Sequence, residues 1–257
     1  IGDVSISNIK PGQYLRYGGS FGDTAYGNTL LLIPSNGSED ATTFLDESNI
    51  AGTITANGDA KITQTVKKFG TGSYLGNGTN SYLNVTRTAI GTSDFTIDFW
   101  VYHDSSVSGY IYSADDTTSF QISGSLGVTD SNGNILTATS LTPNTWYYVS
   151  FTRTGGTLYR HSNGTISASS AYTRELTATD WNIGGNPAAA NGLEGYINGN
   201  IDDFRVTTSA RYDSSNYITP ERAAYTYAGT LGTEFENVTP NINDLIDVDT
   251  PGIKDGQ

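Results

Sequence analysis

The chain has 257 residues, among them 30 glycines and 17 tyrosines but no cysteine or methionine, and a formal net charge of −13 with a pI near 4.3. Lack of cysteine excludes a disulfide framework, thiol chemistry and thiolate metal sites. The negative charge argues against a nucleic-acid partner, and no apolar run approaches the ~20 residues of a membrane-spanning helix.

The abundance of Gly, Ser, Thr, Asn and Tyr beside few helix formers predicts β-sheet with many turns. Without methionine, Ile1 is not a translation start, and no signal peptide opens the chain. We expect a segment of a longer or processed polypeptide. Acidity suits work outside a cell and leaves room for divalent cations.

Ile1–Gln13 (I-G-D-V-S-I-S-N-I-K-P-G-Q) resembles Leu245–Gln257 (L-I-D-V-D-T-P-G-I-K-D-G-Q) without gaps. Asp3, Val4, Ile9, Lys10, Gly12 and Gln13 match Asp247, Val248, Ile253, Lys254, Gly256 and Gln257. Repetition of this kind builds arrays and fibres. It implies a linker module at 1–27, a main domain at 28–226, and the start of a second linker copy at 227–257.

Within the main domain, Leu30–Ile33 reads as a buried strand ended by Pro34 and Asn36-Gly37, and Thr42–Leu45 as a short strand before the polar loop Asp46–Asn49. Ile62–Val66 alternates. Ser73–Leu75 and Tyr82–Val85 bracket Asn77-Gly78, a hairpin dipeptide. Asp94–Tyr102 (D-F-T-I-D-F-W-V-Y) puts Phe95, Ile97, Phe99 and Val101 on one face and Thr96, Asp98, Trp100 and Tyr102 on the other. Such alternation marks a strand with one face on a core, here the central strand of a two-sheet sandwich.

Further strands are predicted at Gly109–Ser113, Ser119–Ile122, Leu126–Thr129 and Asn134–Ala138, then at Thr145–Arg153, Thr157–His161 and Thr165–Ser169. Trp181–Gly184 and Gly195–Thr207 close the domain, and Arg211–Tyr217 allows one helical turn. Turn signals every 8–12 residues fit a sandwich or jelly roll. The predicted core is Phe95, Ile97, Phe99, Val101, Val149, Phe151, Ile201, Phe204 and Val206.

Several stretches carry a family resemblance. They are F-G-T-G-S-Y-L from Phe69, D-F-T-I-D-F-W-V-Y from Asp94, N-T-W-Y-Y-V-S-F-T-R from Asn144, W-N-I-G-G from Trp181 and G-N-I-D-D-F-R-V from Gly199, followed by A-R-Y and the Pro220 segment. Over Thr29–Tyr225 they resemble the concanavalin A-like, laminin-G-like jelly-roll domain, in the version found in phage and bacterial virion or surface proteins. The terminal D-V-x-x-x-x-I-K-x-G-Q element resembles connecting modules of marine-phage structural proteins.

The resemblance implies an all-β jelly roll. Where the family binds a structural calcium ion, it lies near the D-x-S-N loop and the closing I-D-D strand, here Asp46, Ser48 and Asn49 with Asp202 or Asp203. On an alternating strand one of Asp202 and Asp203 points away from the core and is free to ligate. The chain departs from the family at Ile33-Pro34-Ser35 and at His161-Ser162-Asn163-Gly164.

Some relatives are glycosidases, which need two carboxylates at close range, about 5 Å apart in retaining enzymes. The Glu pair with suitable spacing, Glu234 and Glu236, falls in the predicted tail, and Asp94 and Asp98 do not form a dyad with a Glu. His103 and His161 read as solvated rim residues, not members of a Ser-His-Asp triad. Trp100 and Tyr102 offer rings to a sugar but read first as packing. The sequons at Asn36, Asn77, Asn84, Asn163 and Asn237 are expected by chance.

The sequence therefore predicts a non-enzymatic structural or adhesive module of an extracellular or virion appendage. Its partners would be copies of itself or other appendage proteins, with no nucleic acid and no membrane insertion. A lectin-like module binding host-surface glycans is the alternative.

Overall fold

The computed structural model describes residues 26–103, 109–114, 120–187, 195–212 and 214–215. The repeated ends, the Glu234/Glu236 pair and Asn237 lie outside these residues. A 3-10 turn at Tyr26–Asn28 leads into β1 (Thr29–Ile33), β2 (Ile54–Asn57), β3 (Lys61–Thr63), β4 (Ser73–Asn77) and β5 (Tyr82–Thr86). Next come β6 (Phe95–His103), β7 (Tyr110–Ala114), β8 (Gln121–Ser123), β9 (Val128–Asp130), β10 (Gly133–Leu136) and β11 (Tyr147–Thr154). The last are β12 (Thr157–Ser162), β13 (Thr165–Ala171), β14 (Asp180–Ile183), β15 (Gly185–Asn186), β16 (Gly195–Tyr196) and β17 (Asn198–Thr207).

These strands form the expected all-β sandwich of two antiparallel sheets. The first sheet runs β13–β12–β11–β6–β17–β4–β3, and β1 pairs with β17 as well. β4 takes the first half of β17 and β1 the second. The second sheet runs β10–β9–β8–β7–β14–β5–β2, with the small β15–β16 hairpin beside β7.

The alternation of β6 decides what lies between the sheets. Phe95, Ile97, Phe99 and Val101 point inward and are buried, as are the other predicted core residues. Phe99 stacks on Phe204 at 5.7 Å and on Phe151 at 6.3 Å, and Tyr112 of the second sheet stacks on Phe204 at 6.3 Å. Buried arginines fasten surrounding loops. Arg153 donates to the carbonyls of Gly91, Ser93 and Arg174, and Arg160 to those of Leu126 and Thr137.

Four local expectations are corrected. Thr42–Leu45 is not a strand, although Phe44 enters the core. β4 and β5 do not form a hairpin across Asn77-Gly78 but belong to different sheets. The Asn77 side-chain oxygen accepts from the N–H groups of Thr79, Asn80 and Ser81, which makes a corner between sheets instead of a two-residue turn. The Gly195–Thr207 stretch divides into β16 and β17, also in different sheets. Arg211, Tyr212, Ser214 and Ser215, the described part of the expected helical turn, are bends.

The outer face of the first sheet is also largely covered. Arg211 donates its backbone N–H to Thr96 Oγ1 at 2.9 Å and its guanidinium to Asp98, which Arg205 also reaches. Tyr212 and Tyr148 share a hydroxyl hydrogen bond of 2.7 Å. Phe69 meets Trp100 edge-on at 5.6 Å, and Lys68 Nζ sits 4.1 Å over the Trp100 ring. Trp100 is therefore 5 % exposed, a packing residue. Next along that face, Tyr102 is only half-buried.

Candidate functional site: an aromatic rim at the end of β6

The loop joining β10 to β11 is pinned at several points. Thr139 N–H donates to Ser125 O at 2.8 Å, and Asn144 N–H donates to His103 O at 2.8 Å. The Thr142 N–H donates to the Tyr147 hydroxyl at 3.1 Å, which lowers the Tyr147 phenol pKa from its ordinary value. Arg160 holds the carbonyl of Thr137 from beneath, at 2.7 Å. A loop fixed this way holds its side chains in place without a bound partner.

Two features share the loop. On one side is an open cleft of about 300 Å³, lined by His103, Ser125, Ala138, Thr139, Ser140, Leu141 and Pro143. On the other, the rings of Tyr102 and Trp146 lie 5.4 Å apart at 45°, each half-buried. The Tyr102 hydroxyl donates to Asn144 Oδ1 at 3.0 Å, which ties the ring pair to the loop. Asn144 adopts φ 56°, a left-handed conformation that Asn tolerates better than most residues. Flat rings beside hydroxyls, amides and carbonyls suit a neutral polyhydroxylated ligand: sugar C–H faces pack on rings and hydroxyls exchange hydrogen bonds.

The five residues named for calcium are placed differently. Asp46 Oδ1 accepts from the N–H groups of Leu32 (3.0 Å) and Ser48 (2.9 Å). Its Oδ2 accepts from Ser48 Oγ (2.9 Å), Gly52 N–H (2.8 Å) and Arg87 Nη2 (2.5 Å). Asn49 donates to Gly27 O. Asp202 Oδ2 accepts from the N–H groups of Lys68 and Phe69, and its Oδ1 from that of Asp203.

Asp202 and Asp203 are both buried, so neither is free to ligate as expected. The β17–β6 register shifts between Asp202 and Arg205, and Asp203 has φ 48°, a bulge; Asp202 lies opposite Trp100, and the Lys68 and Phe69 N–H groups cover it. Among the described residues no group of three or more His, Asp or Glu stands close enough to hold a metal ion. These carboxylates act as loop staples, and a donor set already engaged by an arginine and several N–H groups does not fit a divalent cation.

The histidines are not solvated. His103 is buried at the cleft floor, and His161 is wholly buried on the outer face of β12. His161 Nδ1 lies 3.4 Å from Ser150 Oγ, and Ser150 faces Asp98 in register. The order is Asp-Ser-His, whereas a triad needs the base between acid and nucleophile. Asp98 is paired with arginines and His161 Nε2 is 3.1 Å from Ser215 O, so the row is structural.

This geometry sits in a sandwich whose sequence signature is recognisable. A profile of the concanavalin A-like lectin/glucanases superfamily matches residues 77–215, more than half of the chain. The chain belongs to that superfamily. No curated protein matches it in sequence.

Solved structures of low identity share the superfamily fold. The binding domain of botulinum neurotoxin serotype D/C VPI 5993 is 18 % identical, with a TM-score of 0.54 over 74 % of this chain and 50 % of that one. The binding domain of botulinum neurotoxin DC in complex with SialylT is 15 % identical, with a TM-score of 0.53 over 73 % and 49 %. Trypanosoma rangeli sialidase in complex with sialic acid is 9 % identical, with a TM-score of 0.52 over 72 % and 31 %. The chain thus spans half or less of each of these.

Sequence reasoning marked Tyr102 as outward and put Trp146 on the predicted strand Thr145–Arg153, but it did not bring the two rings together or find the cleft. The cleft residues come largely from a loop, where periodicity says nothing about direction. The available signal was the short aromatic run W-Y-Y beside the Pro143-Asn144 turn.

Proposed function

We propose that this domain is a non-enzymatic, lectin-like module that binds neutral glycans at the β6 rim, displayed on an extracellular or virion appendage. The half-exposed Tyr102–Trp146 pair, fixed by Asn144 beside the cleft, is the observation that carries the reading. Membership of a superfamily that includes lectins supports it. Sequence put assembly first and glycan binding second; the rim reverses that order.

Neutral sugars are favoured because no Lys or Arg lines the cleft and the chain carries a charge of −13, so a sialylated ligand would meet repulsion without a partner. A glycan array probed with the purified chain tests the proposal. Trp146→Ala and Tyr102→Ala should each weaken binding by about 2 kcal/mol, roughly thirty-fold, with the melting temperature nearly unchanged. No binding by the folded wild type, or equal binding by both variants, overturns it.

A further inference from the structure

The chain carries seven Asn-Gly dipeptides, the pairing most open to attack of a backbone on its own side chain. The nitrogen after the asparagine attacks the side-chain carbonyl carbon, and glycine puts no side chain in the way. Six of the seven are described: Asn36, Asn57, Asn77, Asn132, Asn163 and Asn198, each with its glycine. Attack needs a side-chain amide free to turn and a backbone free to leave its place. The fold withholds one or both at five of the six.

At Asn36 both reactants are engaged. Its Oδ1 accepts from the Thr71 N–H at 2.8 Å, and the Gly37 N–H donates to Thr71 Oγ1 at 3.0 Å. Asn77 Oδ1 accepts from three N–H groups, its Nδ2 donates to Asp59 and Asn80, and the Gly78 N–H donates to Ile197 O. Asn163 Oδ1 accepts from the Tyr148 N–H at 2.9 Å, and Gly164 is buried. Asn198 opens β17, in which Gly199 is buried between β4 and β6. Asn57 is held in β2 opposite Tyr82, and its Nδ2 donates to Thr55 O at 3.1 Å.

Asn132 differs on every count. It lies in the turn between β9 and β10 and is exposed, as is Gly133. Its backbone N–H donates to Asp130 Oδ1 at 2.7 Å, but no described group hydrogen-bonds its side-chain amide. Gly133 faces Asp130 at the tip of a hairpin whose outer strand, β10, ends the second sheet and pairs in an irregular register. Such tips open at the least cost.

We propose that Asn132 is a self-modification site, which converts to aspartate and isoaspartate ahead of every other described Asn-Gly pair. The Gly133 nitrogen gives up its proton to hydroxide and bonds to Asn132 Cγ, and the side-chain nitrogen leaves as ammonia. Water then opens the five-membered imide. Opening at the side-chain carbonyl gives aspartate, and opening at the backbone carbonyl gives isoaspartate. The new carboxylate forms beside a cation, since the Arg174 guanidinium reaches Asp130 Oδ2 at 2.6 Å and Ser131 Oγ at 3.2 Å. The hairpin tip thus gains negative charge as the chain ages. The inference is independent of the glycan reading.

Timed incubation of the full chain at mildly alkaline pH, followed by digestion and mass spectrometry, tests it. Each Asn-Gly peptide is followed by the mass gained when an amide becomes an acid. The Asn132 peptide should convert roughly tenfold faster than the peptides of the other five pairs. In denaturant the six rates should draw together, because the fold sets their order. Asn132→Gln should abolish conversion at this position with an unchanged melting temperature, since the side chain is exposed and unbonded. Another described pair converting as fast in the folded chain overturns the proposal. So does an order of rates that persists in denaturant, or an Asn132 that converts only there.

Discussion

Asp46 lies in a D-x-S-N loop of the type that suggests a cation, yet its two oxygens accept from Leu32, Ser48, Gly52 and Arg87. Its side chain is fully buried and that of Arg87 is 5 % exposed. Removing one member of such a pair leaves the other charged and desolvated. Asp46→Asn should cost about 3 kcal/mol, a fall in melting temperature on the order of 10 °C for a domain of this size. The fall should be the same with and without a chelator. A wild-type melting temperature that drops on chelation while Asp46→Asn is insensitive would restore the metal to this loop. The sequence showed a cluster of oxygen donors, but not Arg87, some forty positions away, which closes it.

At the scale of elements, one dipeptide had two outcomes. Asn163-Gly164 forms a two-residue hairpin between β12 and β13, with φ 48° and 80° at the two positions, as a type I′ turn requires. Asn77-Gly78 has positive φ only at the glycine and makes a corner between sheets. Local chemistry specified a turn in both; which sheet the next strand joins depends on β2 and β14, which flank β5. β6 was the most legible element because its alternation runs for nine residues. Its inner face follows directly, and Phe99→Ala should cost ~3–5 kcal/mol, since the ring is wholly buried against Phe151 and Phe204. Chemical denaturation measures it; an unchanged midpoint would mean that Phe99 lies outside the core. The outer face was less legible, because Arg211 and Tyr212 cover it from beyond β17.

At the scale of the whole molecule, the response to alkali joins the core to the net charge. Burial raises the Tyr74 phenol pKa well above its ordinary value, and its hydroxyl donates to Ser81 O at 2.8 Å. Burial, with a smaller contribution from Asp130, raises that of Tyr172 as well. In the unfolded chain both phenols ionise near the ordinary value of about 10. A raised folded-state pKa means that the unfolded state releases its protons first. The stabilising contribution is therefore complete below pH ~10 and is lost as pH climbs above it. Deprotonation of lysines in the same range deepens a charge that is already −13, so self-repulsion acts in the same direction. Melting temperature should hold steady from neutrality to about pH 9 and then fall steeply. Tyr74→Phe separates the two causes. It loses one hydrogen bond, worth about 1 kcal/mol at neutral pH, but removes one proton-release site, so its alkaline decline should be shallower than that of the wild type. Parallel declines in the two proteins would mean that Tyr74 does not set the alkaline limit, which then rests with Tyr172 and the net charge.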